Sequence, residues 1–198
     1  MNWFRRLCGV TPRKIVFKNK EFKKIDKRLS QIYKYLADVA SCSTFRTTHQ
    51  YVQHGNTSVL LHSIAVAYYS YYLSWYFHLN FRERELVRGA LLHDYFLYDW
   101  HNSGEGHTFH AFTHARDAFV NAQKEFELSR IEREVIKKHM FPLTPVPPLC
   151  REGLMVCLVD KGCSLYETFK QNPYPMLRKK FLSSLPLAEP LDDFSSDR

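Results

Sequence analysis

Two acidic residues stand in surroundings that an ordinary helical core does not explain. Asp160 ends the run Gly153-Leu-Met-Val-Cys-Leu-Val-Asp160, and Asp94 lies between Ala90-Leu-Leu-His93 and Tyr95-Phe-Leu97. A carboxylate carried into an apolar interior is costly unless a cation or a metal ion compensates it. Histidines sit in comparable settings. His62 interrupts Val59-Leu-Leu-His-Ser-Ile-Ala-Val-Ala67, His93 adjoins Asp94, His114 opens a helical stretch, and His139 ends one. A single histidine on an apolar helix is more often a satisfied core residue than a ligand, and an isolated His-Asp pair carries little information. Two acids in apolar runs with histidines in similar settings call for a cation or a metal, which a core alone does not supply. Imidazole and carboxylate without thiolate favour iron or manganese over structural zinc, with magnesium, zinc, nickel and cobalt as further candidates.

The order His62, His93-Asp94, His114, His139, Asp160 resembles that of the HD-domain superfamily of metal-dependent phosphohydrolases, small bacterial HD-domain proteins in particular. The resemblance covers roughly residues 53–167. Its most specific pieces are Leu92-His93-Asp94 and Val159-Asp160-Lys161, flanked by His110-Ala-Phe-Thr-His114-Ala-Arg116 and Lys138-His139-Met140. It implies that His62, His93, Asp94 and Asp160 hold one metal, and that Asp94 bridges to a second bound by His114 and His139. His110 is an alternative to His114. Two such ions share a hydroxide that attacks phosphorus, and the implied substrate is a nucleotide or related small phosphate ester. Asp94, Lys161 and Arg116 are the candidate catalytic residues. Lys161 follows a ligand and Arg116 lies half a turn from His114, so either cation could reach a phosphate. His49, His54, His78, His101 and His107 read as surface or loop residues.

The lysine that follows the His-Asp pair in the cyclic-dinucleotide branch is replaced here by Tyr95-Phe-Leu-Tyr-Asp99, which argues against cyclic di-GMP as substrate. The same ligand order also occurs in HD-fold di-iron oxygenases. A non-catalytic nucleotide-binding module is the third reading.

These residues must be held by helices. The patterns predict helices over about 24–40, 57–78, 82–93, 111–126, from Ser129 to His139, 149–169 and 175–184, with no convincing strand. Asn80 with Glu83, and Ser129 with Glu132, have the spacing of capping boxes, and Pro142 stops the helix that ends at His139. Residues 41–56 read as a loop, and 99–108, with Gly104 and Gly106, as a second. The expected fold is all-α, a single compact HD-domain-like bundle over 23–186, with a basic arm at 1–22 and a frayed tail at 187–198.

Charge is uneven. Residues 1–30 hold ten Lys and Arg against Glu21 and Asp26, while the rest of the chain is balanced. The body of the domain is therefore no basic nucleic-acid surface, although the arm could meet anionic lipid, nucleic acid or protein. Five cysteines without a Cys-x-x-Cys pair indicate neither a disulfide framework nor a zinc ribbon. Cys157 and Cys163 read as small core residues. The opening Met1–Val10 lacks a long apolar stretch, and residues 59–77 are too rich in Ser and Tyr to span a membrane. A soluble, cytoplasmic protein is expected.

Overall fold

The computed structural model describes residues 27–98 and 110–186. The basic arm, the glycine-containing segment with His101 and His107, and the C-terminal tail lie outside the described residues. Within them the protein is all-α apart from one small hairpin. The helices are α1 (Lys27–Val39), α2 (Ser43–Arg46), α3 (Val59–Tyr76), α4 (Glu83–Leu92), α5 (His110–Glu125), α6 (Arg130–Lys138), α7 (Arg151–Phe169) and α8 (Pro175–Lys180). No helix among the described residues is long and apolar enough to cross a membrane.

Helix α3 is the axis of the core. Every residue from Val59 to Ala67 is buried, because α4 packs along one side of it and α7 along another. His62 is thereby placed at the centre of the domain, one turn in from the Ser58 cap, whose side chain accepts from the Leu61 amide. Helix α4 packs in turn on α6. Gly89 permits this close approach, since a Cβ there would lie 3.0 Å from a methyl carbon of Val135. The contact brings the C-terminal ends of α4 and α6, and with them His93 and His139, toward one point.

An ion-pair network, buried at Arg88 and Glu132 and exposed at Asp38, ties α4 to α6 and α1. Arg88 of α4 donates from Nε to Glu132 Oε1 at 2.8 Å and from Nη1 to Asp38 of α1. Glu132 uses its other oxygen for the Ser129 amide, completing the predicted capping box of α6. The other predicted box does not form. Helix α4 is capped at Arg82 without a side-chain hydrogen bond. Glu83 instead accepts from the hydroxyls of Tyr35 and Tyr71. Two phenols brought in by α1 and α3 take the carboxylate that a local cap would have used.

The stretch 41–56, expected as a loop, is more ordered than its polarity suggests. It holds α2, a 3-10 turn over Thr47–Gln50, and strand β1 (Val52–His54), which pairs antiparallel with β2 (Thr57–Ser58). Gly55 makes the turn at φ +55°, and a Cβ there would lie 2.7 Å from the carbonyl oxygen of Glu167. The hairpin is thus seated against the C-terminal part of α7, which sets β1 over the core end of α3. Cys42, Cys150, Cys157 and Cys163 are free thiols. Burial pushes the Cys163 thiol up to about 11, in keeping with a packing role.

Candidate metal centre

Five elements converge on one buried cluster. His62 comes from the first turn of α3, His93 and Asp94 follow α4, His114 lies on α5, His139 caps α6, and Asp160 is on α7. All six side chains are buried. Their ligand atoms form two groups that could each hold a metal ion: His62, His93, Asp94 and Asp160 in one, and Asp94, His114 and His139 in the other.

The carboxylate of Asp94 belongs to both. Its Oδ2 is 3.5 Å from His62 Nε2 and 3.4 Å from His93 Nε2. Its Oδ1 is 3.3 Å from Nε2 of both His114 and His139. Asp160 Oδ1 completes the first group, 3.1 Å from His62 and 3.6 Å from His93. Ligands bound to one ion at about 2.1 Å stand about 3.0 Å apart at right angles and about 3.4 Å apart in a tetrahedron. The separations in each group fall around those values.

The tautomers are set from outside the cluster. His93 Nδ1 is 2.7 Å from the Ala90 carbonyl, and His139 Nδ1 is 2.9 Å from that of Ile136. His62 Nδ1 sits between the two oxygens of Glu167, at 3.0 and 2.9 Å. Each acceptor holds a proton on Nδ1 and turns Nε2 inward, so that Nε2 is the nitrogen each ring can offer to a cation. His93 Nε2 and Asp94 Oδ1 are buried with no hydrogen-bond partner among the described residues. His114 Nε2 and His139 Nε2 face each other at 3.0 Å. Imidazole nitrogens and a carboxylate oxygen turned toward one another in a buried cluster are a donor set that suits divalent cations.

Electrostatics agree. Burial opposes ionisation of Asp94, yet His93, His114 and His139 hold its carboxyl well below the usual range. Burial likewise opposes ionisation of Asp160, and His62 and His93 hold it low. Burial alone would push His62 down, but Glu167, Asp160 and Asp94 keep its pKa well above 6.5. His139 goes the other way, pushed down by burial, and so is neutral.

A cavity of about 630 Å³ opens onto the cluster, lined by the polar residues Gln53, His54, Asp94, His114, Asp160, Lys161 and Ser164 and by the apolar Met140, Pro142 and Leu143. Lys161 lies on this wall, its Nζ donating to the His139 carbonyl at 2.7 Å and to Asp160 Oδ2 at 3.1 Å. Arg116 is exposed on α5 and does not line the cavity. It is two residues from His114, about 200° around the helix, so an inward His114 turns it outward.

Three residues at the site are not singled out by sequence. Glu167 is seven positions beyond Asp160, two turns along the same face of α7, and that spacing was the available signal. Gln53 donates from Nε2 to Asp94 Oδ2 at 2.5 Å, while its Oε1 is buried without a partner among the described residues. His54, expected as a bland loop residue, packs its ring edge-on to His62 with centroids 5.5 Å apart. His49, also expected at the surface, is buried, its Nδ1 2.7 Å from the Arg46 carbonyl. The side chain of His110 lies outside the described residues.

No family model, curated protein or solved structure matches the chain.

Proposed function

We propose that this chain is an HD-type metal-dependent phosphohydrolase or phosphodiesterase. It would carry two divalent ions, iron or manganese by preference, and act on a nucleotide or a related small phosphate ester in the cytoplasm. The observation that carries this reading is the double-facing carboxylate of Asp94, whose two oxygens address separate groups of inward imidazoles. Divalent ions held there supply Lewis acidity toward a phosphoryl oxygen and acidify bound water.

The remaining roles belong to the protein. His62, His93, Asp94 and Asp160 would hold one ion, and Asp94, His114 and His139 the other. Glu167 and the Ala90 and Ile136 carbonyls fix the tautomers of three of these histidines. Lys161, anchored on the cavity wall between Asp160 and the His139 carbonyl, offers a positive charge to an incoming phosphate. Met140, Pro142 and Leu143 supply an apolar surface for the organic part of the ester.

The test is elemental analysis of the purified protein, followed by phosphate release from a panel of esters after loading with manganese or iron. His93→Ala and Asp94→Ala should lose both metal and activity. Full activity in either variant, or consumption of dissolved oxygen with no phosphate released, overturns the proposal.

A further inference from the structure

Helix α7 carries two faces of opposite character. Asp160, Ser164 and Glu167 turn toward the metal cluster or its cavity. On the other side Leu158, Gly162, Leu165 and Phe169 follow one another at steps of four, three and four residues. That is the a/d spacing of a helix that packs on another helix. No partner fills this seam among the described residues. Leu158 is 70% exposed, Leu165 64% and Phe169 81%. At Gly162 an added Cβ would meet nothing within 4 Å, so the middle of the seam is open to a close approach.

The apolar surface continues from α7 to α3. A groove of about 460 Å³ runs between the helices, with Tyr69 and Leu73 on one wall and Leu158 and Tyr166 on the other. Tyr174 joins the walls, its ring 5.9 Å from that of Tyr69 and 5.3 Å from that of Tyr166. Farther along α3, Tyr72 and Tyr76 are exposed and stack at 6.1 Å.

Tyr72, Tyr76, Leu154, Leu158, Leu165, Tyr166 and Phe169 are each between 38% and 81% exposed. With roughly 200 Å² for each side chain, they present on the order of 800 Å² of largely apolar surface. The largest apolar patch of a monomer is about 300–600 Å², and a stable interface takes about 800 Å² from each partner.

We infer that this face is a homodimer interface, in which α7 and the groove beside it pack against the same elements of a second copy. The seam positions 158, 162, 165 and 169 carry no charge, so a charged peptide would find no pairing partner along them. An a/d seam is satisfied by another a/d seam, and a two-fold axis supplies one from the same chain. None of the four seam residues lines the metal cavity. The interface and the metal reading therefore stand or fall separately.

Sedimentation velocity on the full chain over a wide concentration range tests the inference. The expected species has twice the 23.5 kDa chain mass. Leu158→Glu with Leu165→Glu should halve that mass while leaving helical circular dichroism and metal content unchanged. If the double variant misfolds, Phe169→Lys, at the exposed end of the seam, is read in the same way. A monomer at every concentration overturns the inference, as does a dimer indifferent to these substitutions. It is also overturned if the full chain is monomeric and a chain lacking residues 1–22 dimerises, because the basic segment would then be what covers the face.

Discussion

Glu167 is the sharpest test of how the centre is built. Its two oxygens lie 3.0 and 2.9 Å from His62 Nδ1, and both side chains are fully buried. No water screens this contact, so the carboxylate both fixes the tautomer and raises the basicity of Nε2. Removing a buried carboxylate partner from a metal-ligating histidine weakens metal binding about 10–100-fold, which is about 1.4–2.7 kcal/mol. Glu167→Gln keeps one acceptor for the Nδ1 proton and loses only the charge, so it should fall near the lower end. Glu167→Ala leaves Nδ1 unsatisfied in an apolar site and should reach the upper end. The assay is competition for manganese or zinc against a chromophoric chelator, with circular dichroism confirming the fold. If both variants bind metal within twofold of the parent while folded, the assignment of Glu167 is wrong. If Ala weakens binding and Gln does not, Glu167 acts through hydrogen bonding alone.

Further outcomes follow from other contacts. Lys161→Ala should raise KM for a phosphate ester about tenfold, the loss of one charge-assisted hydrogen bond, with metal content unchanged. Arg116→Ala should leave both kinetics and metal content as they are, and a matching loss in Arg116→Ala would contradict its outward placement. Gly55→Ala meets the Glu167 carbonyl at 2.7 Å and a left-handed φ of +55° together. It should cost about 1–3 kcal/mol, read as a lower urea midpoint. The pH dependence of the metal-free protein follows from His62, whose folded pKa is raised. Its stabilising contribution is whole below 6.5 and is lost as the pH rises through the folded value. Thermal melts of the metal-free protein should therefore soften above neutrality, while the metal-loaded protein, with His62 deprotonated onto the ion, should not share that trend.

Sequence alone determined the composition of the centre. A carboxylate in an apolar helical run demands compensation wherever the helix is placed, and that demand is local. Asp94 and Asp160 could therefore be recognised beside His62, His93, His114 and His139 before any packing was known. The helices were legible for the same reason, since periodicity and the Ser129–Glu132 box are local signals, and the structure brings all six residues to one point.

Only the tertiary structure decided which further groups reach that point. A helical position specifies a direction around its own axis, and packing sets where that direction leads. So Lys161 lies on the cavity wall and Arg116 points away, although the sequence offered them on equal terms. Gln53 and His54 arrive by way of a hairpin whose polar residues read as loop, and its seat is the Glu167 carbonyl at Gly55. Glu83 passes from a local cap to Tyr35 and Tyr71 because distant helices bring those hydroxyls within reach. Glu167 itself is an ordinary acid near a helix end until the packing of α7 on α3 sets it against His62. The ligand types are written in local chemistry. The protons, tautomers and charges that make them a site arise from contacts between residues as far apart in the chain as His62 and Glu167.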